Sequence, residues 1–199
     1  MIDFSAIYEL TGSTDQVFLG SRWRGRHDIN GFEIARSEAA LPSAVEFVRG
    51  SGECRADIIG TGFASLYLIS TRLVEGLNAE RISGWRATPV RFEDGTAPDG
   101  AFHALSVTGR CGPIRYELSE VVEKQRGGNL TRWWKGAYFD SETWDGSDIF
   151  TPVDVGTVFL TSRVRELLYL YDLDGVRLIP LSAVERMILP ILSKGELSR

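Results

Sequence analysis

The chain resembles itself. Set against its own sequence 91 positions on, the segment 57–90 falls on 148–181 without a gap, with eight identities over 34 positions: Asp57/Asp148, Ile58/Ile149, Arg72/Arg163, Glu75/Glu166, Leu77/Leu168, Gly84/Gly175, Arg86/Arg177 and Pro89/Pro180. Conservative pairs such as Ile69/Leu160, Ser70/Thr161 and Leu73/Val164 fill the intervals. Self-similarity at one offset is the mark of a repeated structural unit, and it constrains the fold more than any short motif.

Each copy predicts the same local structure. An apolar run (66–69; 158–160) leads into Ser70-Thr71 or Thr161-Ser162, hydroxyl residues that favour helix N-caps. About ten residues of helix follow, with Leu73 and Leu77, or Val164 and Leu168, four apart on one face. Gly84 and Gly175 supply a tight turn, and the chain then runs extended through 85–90 and 176–181, with a proline near the end of each run. The unit reads as strand, helix, glycine turn, strand.

The remainder predicts mostly strand: 5–10, 16–23, 101–107, 114–118 and 130–139, separated by the loops 93–100 and 124–128. A last helix is expected over 183–192, interrupted by Pro190. The expected fold is therefore α+β: a mixed or antiparallel sheet in a single domain, 1–199, or two fused halves, carrying two strand–helix–strand units related by internal duplication.

Composition narrows the function classes. A hydrophobic fraction of 43% over 199 residues supplies a real core. The net charge of -5 argues against a nucleic-acid binder, which carries a basic surface. The longest apolar stretch, 58–69, is too short to span a bilayer, which takes about twenty residues. With no signal-like segment at Met1–Ser5, a soluble cytoplasmic protein is expected, with no membrane partner. Two cysteines far apart in sequence (Cys54, Cys111), without a CxxC spacing, and only two histidines (His27, His103) predict no metal site and reduced thiols, with one disulfide as the alternative.

Catalytic signatures are scarce. There is no Gly-x-Ser-x-Gly elbow, HExxH pair or Walker A loop, so no catalytic residue and no cofactor is assigned. A small hydrolase or ligand-binding domain with an unrecognised site stays open as the alternative. The polar residues shared by the copies read as scaffold: Arg72 and Glu75, three apart, predict an ordinary helix-surface pair, and Asp57 a turn end or a backbone-amide acceptor.

Two aromatic–basic clusters fall outside the shared segments. One is Arg22-Trp23-Arg24, continued by Gly25-Arg26-His27; the other is Arg132-Trp133-Trp134, continued by Lys135. Trp and Arg dominate protein-binding hot spots, and adjacent tryptophans on a strand point to opposite faces. The plain alternative places one Trp of each cluster in the core with its charged neighbours solvated. As partner-binding residues the clusters are the best candidates in the chain.

The order of these features resembles the DUF1629-type and double-CxxCG-type immunity-like proteins of myxobacteria and relatives. The resemblance rests on Asp57-Ile58, Ser70-x-Arg72 and Gly84-Trp85-x-x-x-Pro89-Val90. In the second copy it rests on Trp144-Asp145-Gly146-Ser147-Asp148-Ile149-Phe150, Leu160-Thr161-Ser162-Arg163-Val164 and Gly175-Val176-x-x-x-Pro180-Leu181. The paired Cys motif is missing, since Cys111-Gly112 stands without a second cysteine three positions before it. The resemblance implies an antidote that binds a cognate toxin of an interbacterial polymorphic-toxin system.

Overall fold

The computed structural model describes residues 2–12, 21–24, 30–42, 45–50, 56–63, 65–93, 100–126 and 128–188. The expected strand segment 16–20, His27, Cys54, the loop 94–99 and the last part of the expected helix, 189–192, lie outside them. The strands are β1 (Ile7–Gly12), β2 (Ser21–Arg24), β3 (Glu46–Arg49), β4 (Ile58–Gly60), β5 (Tyr67–Ser70), β6 (Trp85–Pro89), β7 (Arg91–Phe92), β8 (Phe102–Val107), β9 (Gly109–Cys111), β10 (Glu120–Arg126), β11 (Asn129–Lys135), β12 (Ile149–Pro152), β13 (Val158–Thr161), β14 (Val176–Pro180) and β15 (Glu185–Met187). The helices are α1 (Gly31–Ala35), α2 (Thr71–Ala79) and α3 (Ser162–Leu168). The fold is α+β and mostly strand.

The strands form four sheets, ordered β14-β1-β13-β12-β9, β4-β5-β8-β6, β10-β11-β15 and β2-β3-β7. The five- and four-stranded sheets share one apolar core with both longer helices. Leu73 and Leu77 of α2 and Val164, Leu167 and Leu168 of α3 bury with Ile69, Leu105, Ile149 and Leu160. A second core joins α1 and Phe47 of β3 to the other side of the four-stranded sheet. A third, rich in rings, stacks Phe139, Phe150 and Phe159 behind the five-stranded sheet.

The two similar segments pair their strands alike. Ile58 faces Ile69 and Ile59 faces Leu68 in β4–β5, while Ile149 faces Leu160 and Phe150 faces Phe159 in β12–β13. In the first segment β8 lies between β5 and β6, with His103 opposite Ile69 and Pro89. In the second, β1 takes that place, with Tyr8 opposite Leu160 and Pro180. Ser70 caps α2 by accepting from the Leu73 N–H at 3.1 Å, whereas Thr161 precedes α3 without a side-chain cap bond.

Four local expectations are corrected. Residues 124–126, expected as part of a loop over 124–128, belong to β10 and pair with β11. Residues 5 and 6, within the 3-10 turn Phe4–Ala6, and residues 116–118 form 3-10 turns where strand was expected. The start of the expected last helix is a 3-10 turn at Leu181–Ala183 followed by β15. There, pairing with β11 outweighs weak local helix preference, because the ladder satisfies backbone groups that a short helix end would leave open.

Candidate functional site

β10 and β11 pair as a hairpin from Arg126 opposite Asn129, and Gly128 takes a positive φ of 84°, which tight hairpin turns demand. β15 adds a third strand, with Met187 opposite Trp133, Arg186 opposite Trp134 and Glu185 opposite Lys135. The expected strand around Arg132, Trp133 and Trp134 is therefore present, and its pleat sends the two indoles to opposite faces. Neither joins a core; both are half-buried.

On one face Trp133 lies in line with Val122 and Met187. Its indole N–H donates to Thr131 Oγ1 at 2.9 Å, and Lys124 Nζ stands 5.6 Å from the ring centroid while pairing with Glu185. Such cation–π contacts at exposed sites contribute about 0.5–1 kcal/mol and hold the ring in one orientation. On the other face Trp134 tilts over Tyr116, with centroids 6.0 Å apart. Beside it Leu130 is 67% and Val121 39% exposed, and Arg132 reaches toward Glu123 at 3.8 Å.

This sheet is tied to the five-stranded one. Gly136 and Ala137 donate to the carbonyls of Val184 and Leu181, each at 2.8 Å. Arg186 Nη2 donates to Glu9 Oε2 at 2.7 Å in the middle of β1, while Arg186 Nε is buried and, among the described residues, lacks an acceptor. Burial pushes the Glu9 carboxyl above its usual value of 4.5, and the Arg186 charge and a Thr157 hydrogen bond only partly offset it. Burial, aided by the Glu9 charge, pushes the nearby Tyr67 hydroxyl up to about 12. No sequence signal marked Glu9 and Arg186, which lie at opposite ends of the chain.

Because its pKa is raised, folded Glu9 holds its proton more tightly than in the unfolded chain. Stability from this group is fully present below the unfolded value and falls as pH rises from there through the folded value. Glu9→Gln is expected to remove that fall, flattening the stability profile between about pH 4.5 and neutrality, as read from urea melts across that range.

Among the residues of the first cluster, Arg22 pairs with Val48, Trp23 with Phe47 and Arg24 with Glu46 along β3. That places the two clusters in different sheets.

The polar residues common to both segments act as clasps. Asp57 is buried; it accepts from the Ser70 hydroxyl, the Arg72 guanidinium and, at 2.9 Å, the Asp172 N–H. Asp148 accepts from the Ser83 N–H and hydroxyl, both at 2.9 Å, and from Thr161, with Arg163 at 3.5 Å. Each aspartate thus ties the strand–helix junction of its own segment to the loop after the other segment's helix. Arg72 pairs with Asp57, which corrects the expected surface pair with Glu75. The amide-accepting role expected of Asp57 is what the structure shows.

Other reactive groups occupy ordinary places. Cys111 is a free, buried thiol, raised to about 12 by burial first and then by the Asp154 and Asp145 charges, so little thiolate forms at neutral pH. His103 Nε2 lies 3.1 Å from Thr71 Oγ1. Among the described residues no cluster of three or more His, Cys, Asp or Glu is placed to hold a metal ion.

No protein-family model matches the chain, and no curated protein matches it. Among the described residues, no helix is long and apolar enough to cross a membrane.

Proposed function

We propose that this chain is a non-enzymatic protein-binding protein that holds its partner on the β10–β11 hairpin. One observation carries the reading: a three-stranded sheet displays Leu130, Val121 and Arg132 on one face and Trp133, Met187 and Lys124 on the other. Exposed aliphatic and aromatic groups on a rigid β scaffold, rimmed by Arg and Lys, are the composition of a binding hot spot. Arg22, Trp23 and Arg24 are assigned a secondary contact.

The partner class follows from the resemblance described above. We infer an immunity protein of a bacterial polymorphic-toxin system, acting in the cytoplasm by occluding a cognate toxin, with neither nucleic acid nor cofactor required. The paired registers of β4–β5 and β12–β13, and the matching places of β8 and β1, support descent of the two segments from one duplicated unit.

Co-expression with a toxin-domain protein encoded beside this gene tests the reading. The wild type is expected to retain that toxin through affinity purification. Trp133→Ala and Leu130→Asp should each weaken capture at least about tenfold, roughly 1.4 kcal/mol, while leaving the thermal midpoint nearly unchanged. Retention of no protein, together with a small molecule that raises the thermal midpoint, would overturn it in favour of a ligand-binding domain.

A further inference from the structure

We propose that the outer edge of β10 is a homodimer interface, on which a second copy of this chain pairs its own β10 antiparallel across a two-fold axis at Val122. This goes beyond the toxin-binding reading and does not depend on it. Among the described residues β10 pairs only with β11, so its far edge presents open backbone groups along seven residues. Edges are guarded by shortness, proline, bulges or charged side chains, Lys above all. β10 is seven residues long without proline, and its guard is charge of both signs, Glu120 and Glu123 before Lys124 and Arg126, which disfavours an uncharged strand but complements an antiparallel copy of itself.

The ladder decides which residues offer bonds outward. The Ile188 N–H donates to the Arg132 carbonyl at 2.9 Å, so Arg132 points toward β15 and its neighbours Thr131 and Trp133 point toward β10. Their partners Lys124 and Val122 are thereby used inward, which leaves Val121, Glu123 and Gln125 facing out. An antiparallel copy must match outward residues to outward residues. With Val121 opposite Glu123 of the second copy, Val122 meets its own counterpart on the axis in the closely spaced, non-hydrogen-bonded geometry. On either side, Glu120 then faces Lys124. Sliding the copy two residues one way sets Glu123 against Glu123, and four sets Lys124 against Lys124, like charges directly opposite; sliding two the other way sets Val121 against Val121 but turns Glu120 to Val122 and loses both opposite-charge pairs. Only the first register combines an apolar centre with two opposite-charge pairs.

That register also extends a surface. Met187, Trp133 and Val122 already lie in line on one face, and the axis continues the line through Val122, Trp133 and Met187 of the second copy. The two three-stranded sheets become one of six strands with an apolar ribbon across it. A strand-edge contact buries less than the roughly 1,200–2,000 Å² of stable interfaces, so a micromolar rather than nanomolar dimer is expected.

Sedimentation equilibrium of the full chain tests the proposal. The wild type is expected to approach twice the chain mass of 22.1 kDa as concentration rises. Glu120→Lys and Lys124→Glu each put like charges opposite and should weaken association about tenfold or more. An equimolar mixture of these two variants restores opposite charges at both positions and should recover it. That recovery isolates the contact between copies, because mixing cannot repair the ties to Lys135 and Glu185 within each chain. Glu123→Pro, which deletes an outward N–H and spares the β11 ladder, should leave a folded monomer. A wild type that stays monomeric up to about 1 mM, single variants that associate as well as wild type, or a mixture that does not recover, would each overturn the proposal.

Discussion

Gly84→Ala is expected to lower stability by about 3 kcal/mol or more. Gly84 sits at φ 87°, where an L-residue costs about 1–2 kcal/mol, and an added Cβ would lie well inside contact with the Ile149 carbonyl oxygen and the Ser147 side chain. Ile149 starts β12 inside the five-stranded sheet, so its backbone has little room to yield; overpacking of this kind costs a further 1–3 kcal/mol or so. The Gly84 carbonyl also accepts from Thr108 and Gly109, so a shift there disturbs the start of β9. For a domain of this size the thermal midpoint should drop by roughly 6–12 °C. Gly100→Ala is the control: its φ is 90°, but nothing lies within 4 Å of its added Cβ. It should show the conformational cost alone, and a Gly84→Ala midpoint no lower than that of Gly100→Ala would refute the close approach.

Asp57→Ala should cost about 2–4 kcal/mol, because it strands the Asp172 N–H and frees the Ser70 hydroxyl at the head of α2. Arg72→Ala removes the cation from the same pair but should cost much less than Asp57→Ala, since the Arg72 side chain is 63% exposed and its charge is screened by solvent. The asymmetry separates a clasp from a surface ion pair, and equal losses would argue against it. The clasp also titrates. Burial pushes the Asp57 carboxyl up, but hydrogen bonds from Arg72, Ser70 and Asp172, together with the Arg72 charge, outweigh it and hold the group below 3.8. Folded Asp57 thus binds its proton less tightly than unfolded, so its stabilisation is present above the unfolded value and lost as pH falls through the folded one. The gap between wild type and Asp57→Asn, measured by urea denaturation, should hold steady near neutrality and narrow below about pH 3.8.

The candidate site was partly legible. The strand around Arg132 was read from its aromatic and β-branched residues, and period two alone separates Trp133 from Trp134, but β10, with four charged residues among its seven, carries no apolar run and its residues 124–126 read as loop. What the tryptophans face was not legible, because Tyr116, Lys124 and Met187 are set by turn length and strand register. Residues 114–118 looked like strand from their composition, yet Tyr116–Leu118 turn as 3-10 to bring the chain into β10. Glu185–Met187 lost their helical reading to β11, a partner some fifty residues earlier that no window of the sequence contains.

The similarity of residues 57–90 to 148–181 remains what the sequence by itself determined: two strand–helix–strand units with a glycine of positive φ before the last strand of each. These follow from periodicity, capping and backbone sterics, all of which act within a few residues. Only the tertiary structure decided that β1 completes the second unit as β8 completes the first, that Asp57 and Asp148 each clasp the other unit's loop, and that Glu9 meets Arg186. Those contacts join residues far apart along the chain, and their free energy depends on burial and geometry that exist only once the sheets have packed.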